Sequence, residues 1–326
     1  MRAIGIEHFG ETPALKEVPV PEPGSGEVQI AIEAASTNPL DLAIASGVLA
    51  ALGECRFPLT LGMDGAGTVT AVGDGVTEFR VGDRVFGQFW SRPLRSGSFA
   101  EVAVVQAVPA FGALARIPDE LPSDVAAALP TAGMTALGAI DVMRVPEGGT
   151  LAILGATGGV GTFAVQAAAA RGIRVIATAS AQVAEEVREL GATAIVVRGA
   201  EPLDQALRRL APEGVDAIFD TVGDRSLTSS VAGAVRDGGA LLSIASGVDE
   251  KLLAEERIRV ADYRLDRKPE RLAELTKLVT AGTIRPVIGA VLSLEEAPRT
   301  LTGGVEPTGM RGKTVLRVSL TSEQCR

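Results

Sequence analysis

From about residue 123 onward, short apolar runs alternate with helix-length segments, and that alternation predicts a parallel sheet flanked by helices. The expected strands are 150–154, 175–178, 194–197, 215–219 and 240–244. They lack polar alternation, as strands do when helices cover both faces of the sheet. Residues 1–122 have a different texture. Short period-two stretches, such as 28–32 and 67–72, stand between turn signals such as Pro23-Gly24 and Asp74-Gly75, which predicts a small, mostly β domain. Residues 267–326 carry an expected helix 269–281, a short helix near 294–301 and a closing strand 314–318. Their punctuation at Gly282, Pro286 and Gly303-Gly304 matches the first domain, so the chain is expected to return to it. The expected division is therefore 1–122, 123–266 and 267–326, an α/β protein with a doubly wound parallel-sheet domain inserted into a mostly β one.

Composition narrows the function. Forty Asp and Glu against 31 Lys and Arg leave a charge of −9, which offers no basic surface to nucleic acid. The longest apolar runs fall short of a bilayer span, and MRAIGIEHFG lacks the apolar region of a signal peptide, so a cytoplasmic protein with no membrane partner is expected. Two cysteines, Cys55 and Cys325, make no disulfide scaffold, and the single histidine, His8, is too few for most imidazole chemistry.

The first strand of the second domain runs into Gly155-Ala156-Thr157-Gly158-Gly159-Val160-Gly161, followed by a helical stretch 162–171. Strand, glycine turn and helix are the context of a dinucleotide fingerprint: glycines let the backbone approach a pyrophosphate, and the free N–H groups of the helix start meet the anion. Ala156 departs from G-x-G-x-x-G, while Gly158 and Gly161 stand at the second and third glycine positions. The second strand ends in Ala177-Thr178-Ala179-Ser180, without the carboxylate that an NAD site places on the ribose 2′-hydroxyl. NADPH is the expected cofactor, with Ser180 and the cation of Arg198 as candidates for its 2′-phosphate; a solvated loop charge is the other reading of Arg198.

Taken together, Asn38-Pro39-Leu40-Asp41, Leu61-Gly62-Met63-Asp64-Gly65-Ala66-Gly67, Val81-Gly82-Asp83-Arg84-Val85, Leu129-Pro130-Thr131-Ala132-Gly133-Met134-Thr135-Ala136, the glycine turn and Gly312-Lys313-Thr314-Val315 resemble the zinc-independent, quinone oxidoreductase (zeta-crystallin-like) branch of the medium-chain dehydrogenases/reductases. The resemblance implies a GroES-like catalytic domain, an inserted Rossmann domain and a homodimer. Zinc alcohol dehydrogenases resemble the chain too, but they carry Cys where Asn38 stands, His where Met63 stands and Cys or Asp near Thr131, and their four-cysteine structural lobe has no counterpart around 88–105. No metal site is expected. Without a Lewis acid, hydride addition to an already electrophilic quinone or enone is favoured over alcohol–ketone interconversion.

The resemblance also implies roles. Asn38 would lie near the nicotinamide ribose and substrate carbonyl and donate to oxyanion charge, making it the one catalytic candidate. Thr131 and Thr135 would contact the nicotinamide end, the backbone at Ile244 and Ala245 its carboxamide, and Val222 would flank the adenosine. Read alone, Asn38, Thr131 and Thr135 are equally caps or turn residues. No general acid stands out. Leu42-Ala43-Ile44 occupy the place where many members of the branch carry Tyr, and Tyr263 reads as part of an edge strand that pairs across the dimer in relatives. His8 reads as a surface residue, Asp41 as a brace for its loop, and Phe86, Phe89, Trp90 and Leu94 as a cluster that either packs the core or closes over a flat substrate. The expected activity is NADPH-dependent reduction of a quinone or α,β-unsaturated carbonyl. The alternatives are a pathway-dedicated reductase or cyclase and a non-catalytic NADPH-binding protein.

Overall fold

The computed structural model describes residues 1–48, 50, 54–90, 93–109, 112–264, 268–301 and 310–318; Gly303-Gly304 and Cys325 lie outside them. The alternating N-terminal stretches become β1 (Arg2–Ile6), β2 (Ala14–Glu17) and β3 (Glu27–Ser36), then helix α1 (Pro39–Ala45), and then β4 (Leu59–Thr60) and β5 (Asp64–Val72). β6 (Arg84–Gln88), β7 (Val102–Gln106) and β8 (Leu114–Arg116) complete this part, followed by helices α2 (Ser123–Ala127) and α3 (Pro130–Met143). β1, β2 and β4 make a three-stranded sheet. β3 is the centre of a second sheet, pairing antiparallel with both β5 and β7.

The second region runs β9 (Thr150–Leu154), α4 (Gly159–Ala169), β10 (Arg174–Ala179), α5 (Ala184–Glu189), β11 (Ala194–Val197), α6 (Leu203–Leu210), β12 (Val215–Asp220), α7 (Arg225–Val231), β13 (Val235–Ser243), α8 (Glu250–Leu253) and β14 (Arg259–Asp262). Its strand order is β11-β10-β9-β12-β13-β14 and every pair is parallel, the doubly wound order with its switch point between β9 and β12. Burial explains the missing polar alternation. Leu151, Ile153, Ala217 and Phe219 enter the core on one face, while Ala152, Leu154 and Ile218 enter a separate core on the other.

α9 (Pro269–Thr280) then packs on α3. β15 (Ile288–Ser293), α10 (Ala297–Leu301) and β16 (Lys313–Arg317) follow, and β16 pairs with β3. The chain does return to the sheet built around β3. Ala34, Ala66, Phe86 and Val315 share one apolar cluster with the helices and strands of the second region, so one core joins the two lobes.

The structure amends several expected boundaries. α4 starts at Gly159, three residues early, so Gly159, Val160 and Gly161 form its first turn rather than a loop before it. β13 starts at Val235 because the polar, glycine-bearing segment Arg236–Gly239 is taken into the strand through a register irregularity opposite β12. β15 was unexpected, although its alternating burial carries a period-two signal. Tyr263 stands one residue past the edge strand β14 rather than within it, and packs its hydroxyl where a Cβ on Gly138 of α3 would lie. Phe89, Trp90 and Leu94 pack in the core of the N-terminal lobe, whereas Phe86 belongs to the interlobe core; the four do not form one substrate-facing cluster. Among the described residues no helix is long and apolar enough to cross a membrane.

Candidate active site

The glycine turn stands at the C-terminal end of β9, beside the switch point. Gly155 has φ +81°, a conformation that favours glycine, and a Cβ there would meet Thr221 Oγ1 at 2.5 Å. Its N–H donates to Thr178 Oγ1 (3.0 Å). Gly161 is fixed by packing, since a Cβ would come within 2.2 Å of the Gly155 carbonyl oxygen. Gly158, the N-cap of α4, differs: a Cβ there would meet only the Gly155 oxygen, at 3.5 Å. The flank of Gly158 is therefore open. The Gly158 N–H closes the turn on the Gly155 carbonyl (3.1 Å). The next N–H groups, at the first turn of the helix, have no intrahelical acceptor and carry the positive end of its dipole, so Gly159, Val160 and Gly161 beside the open Gly158 form a cradle that fits a pyrophosphate.

The other second-region candidates gather on the same edge of the sheet. Ser180 follows β10, and the Arg198 N–H donates to the Ala179 carbonyl (2.9 Å), which places both residues on one rim. Arg198 is exposed, and its guanidinium makes no ion pair with a described residue. Val222 lies just past β12; Ile244 and Ala245 lie just past β13.

Asn38, Thr131 and Thr135 are differently placed. Asn38 is the N-cap of α1, 8% exposed, and its amide faces inward. Nδ2 donates to Asp64 Oδ2 (3.0 Å) and Ser36 O (3.4 Å), and Oδ1 accepts from the Lys313 ammonium at 2.6 Å. Thr131 Oγ1 donates to Asp64 Oδ1 (2.7 Å) and accepts from Gln88 Nε2 (2.8 Å). Thr135 Oγ1 donates to the Thr131 carbonyl. The side-chain donors of Asn38, Thr131 and Thr135 are thus engaged within the protein. Asn38 and Thr131 do come together, on Asp64.

Lys313 is the residue the sequence reasoning missed. It is 3% exposed; its ammonium also donates to Thr37 O (2.8 Å) and stands 3.9 Å from Asp64. The lysine stem lies against Gly159, where a Cβ would be 3.0 Å from Lys313 Cδ, and the preceding Gly312 N–H donates to the Thr157 carbonyl. One residue thus ties the glycine turn to the buried cluster under Asn38. The available signals were a lysine at the head of the closing strand, and Asp64 as the only charge between Arg56 and Asp74. The ammonium also decides the fit of a metal. Asn38, Met63 and Thr131 offer an amide, a thioether and a hydroxyl in place of thiolate or imidazole, and a fixed cation already contacts Asn38, so a zinc ion does not fit here. Among the described residues no group of three His, Cys, Asp or Glu is placed to hold a metal.

Asp41 braces its loop as expected, its carboxylate accepting from the Asn38 (2.7 Å) and Met63 (3.0 Å) N–H groups. Burial pushes it up to about 7, from 3.8; the same cause raises Asp64 and lowers Lys313. A carboxyl raised on folding binds protons more tightly in the native state, so Asp41 makes stability fall as pH rises from about 4 to about 7. Asp41→Asn removes that titration. The difference in melting temperature between variant and wild type is therefore expected to shift in the variant's favour across this window, and parallel pH profiles would contradict the assignment. Burial also raises the half-buried Cys55 thiol, against a nucleophilic role. His8 is exposed.

The model of the alcohol dehydrogenase GroES-like domain matches residues 24–118, and that of the zinc-binding dehydrogenase family matches residues 159–281. The quinone oxidoreductase of Rattus norvegicus is 30% identical, with 97% of each chain covered. The mitochondrial NAD(P)H oxidoreductase RTN4IP1 of Mus musculus is 32% identical over 90% of this chain and 82% of its own. Among solved structures, a mycobacterial protein complexed with NADPH superposes with a TM-score of 0.82 at 28% identity, covering 97% of this chain and 99% of that one.

Proposed function

Since the chain belongs to the quinone oxidoreductase-like medium-chain dehydrogenases/reductases, we propose that it reduces a quinone or an α,β-unsaturated carbonyl with NADPH and without zinc. The observation that carries this reading is the open flank of Gly158 at the start of α4, beside the switch point of a parallel sheet. Bound there, NADPH supplies a hydride; with one proton taken up, the acceptor becomes the hydroquinone or the saturated carbonyl.

The chain's own residues bind and orient. The N–H groups at the start of α4 hold the pyrophosphate, and Val222 flanks the adenosine. The Ile244 and Ala245 N–H groups already bind Asp220 O and Ser243 Oγ and the Ala245 carbonyl faces Gly223, so the Ile244 carbonyl oxygen is the one that accepts from the carboxamide. Asn38, Thr131 and Thr135 shape the nicotinamide end, with Lys313 and Asp64 holding the amide and hydroxyl in place. The proton comes from solvent or from the acceptor. A homodimer, a cytoplasmic location and the domain division at 122/123 and 266/267 belong to the same reading.

Ser180 and Arg198 carry the cofactor preference. Arg198→Ala is expected to weaken NADPH binding by about 1–3 kcal/mol, the cost of a lost charge-assisted phosphate contact, and to leave NADH nearly unchanged. Fluorescence titrations with both coenzymes read this directly. An equal loss for both would make Arg198 a structural residue and remove the argument for NADPH.

A further inference from the structure

The two loops on which Val222, Ile244 and Ala245 stand share one buried anchor. Asp220 ends β12 and Ser243 ends β13; they are register partners, and both are fully buried. The Asp220 carboxylate accepts from the N–H groups of Val222 (2.9 Å) and Gly223 (3.2 Å) and from the Ser243 hydroxyl (2.7 Å). With its hydrogen given to Asp220, Ser243 Oγ accepts from the N–H groups of Ala245 (3.2 Å) and Gly247 (2.9 Å). A hydroxyl has one donor and two acceptor sites, so Ser243 is saturated and its orientation is fixed.

The surrounding chain is built to this anchor. A Cβ on Gly247 would lie 2.2 Å from Asp220 Oδ2, and one on Gly223 would lie 2.5 Å from the Ala245 carbonyl oxygen, which is where the two loops touch. Between them Ser246 is held at φ +56°, a conformation a non-glycine residue keeps only where its surroundings impose it. Thr221 extends the same assembly to the glycine turn, donating to Leu154 O (2.8 Å) and Gly155 O (3.2 Å).

We infer that Asp220, acting through Ser243, is a positioning residue that pre-sets both coenzyme-facing loops before NADPH arrives. The inference rests on the reading that the coenzyme lies along this edge. The carboxylate touches backbone N–H groups and one hydroxyl and makes no contact with the reacting atoms; its effect is on where the loops stand. Asp220→Asn replaces one acceptor oxygen by an NH2 group. If that group faces Ser243, the hydroxyl must accept from it and gives up one loop N–H; if it faces the loop, it opposes the Val222 and Gly223 donors.

The test is single-turnover oxidation of NADPH by a quinone, with wild type, Asp220→Asn and Ser243→Ala. A misplacement of about 1 Å costs on the order of 100-fold in hydride transfer, and that loss at saturating NADPH is the expected result for Asp220→Asn. A folded Asp220→Asn protein that transfers hydride at the wild-type rate would overturn the inference and leave the coenzyme reading intact, whereas a wild type that does not bind NADPH would overturn the reading itself. Should neither variant fold, amide hydrogen exchange in the coenzyme-free wild type decides. Slow exchange at Val222, Gly223, Ala245 and Gly247 is expected of pre-set loops, and exchange that slows only after NADPH is added would overturn the inference.

Discussion

Lys313→Met is expected to lower the unfolding free energy by about 3–5 kcal/mol at pH 8, the cost of leaving buried charge without its partner. Methionine keeps a flexible apolar stem beside Gly159 but removes the ammonium that Asn38 Oδ1 and Thr37 O accept from and that faces Asp64. Two carboxylates, Asp41 and Asp64, are then buried without the one cation that acts on them among the described residues. Both can escape by taking up a proton, and burial already raises each of them. The loss should therefore shrink as pH falls, because the protonated carboxyls no longer need a counter-ion. Urea denaturation at pH 8 and pH 5 measures both values. Wild-type stability for Lys313→Met at pH 8 would show that the ammonium does not compensate these carboxylates.

Gly158→Val separates folding from coenzyme binding. Gly158 has φ −83° and ψ 176°, extended backbone that valine adopts readily, and its Cβ direction is open. Valine is a poorer N-cap than glycine, so a stability loss of about 1 kcal/mol is expected. Binding should suffer far more, since the branched side chain occupies the approach of the pyrophosphate. Losing two charge-assisted hydrogen bonds at about 1.5–3 kcal/mol each corresponds to at least about 100-fold weaker NADPH binding. Gly161→Ala provides the contrast: its Cβ would collide with the Gly155 carbonyl oxygen, so it should destabilise the protein whether or not coenzyme is present.

The periodicity of the chain carried the five expected strands of the parallel sheet because their apolar residues enter cores on both faces of it. It failed where polar residues enter a strand at a register irregularity, as at Arg236 and Asp237 in β13. The glycine turn was legible because its residues are neighbours in the chain. The buried cluster was not. Asn38, Asp64, Thr131 and Lys313 come from four distant segments, and the sequence says nothing of a contact between Lys313 and the Asn38 oxygen at a separation of 275 positions. For the same reason the inward partners of the Asn38 amide, Asp64 and Lys313, could not be read from the sequence. Asp220 and Ser243 were invisible as a pair because register, not sequence spacing, sets them side by side.

The central claim is that NADPH seated on the Gly158 cradle passes hydride to an activated acceptor with no metal involved. Its most direct test follows the absorbance of the reduced nicotinamide after a quinone or enone is added to chelator-treated protein, with Gly158→Val in parallel. The account predicts oxidation by the wild type at undiminished rate after chelation and none above background by a folded Gly158→Val protein. Oxidation at equal rates by both proteins, or activity that returns only when zinc is restored, would contradict it.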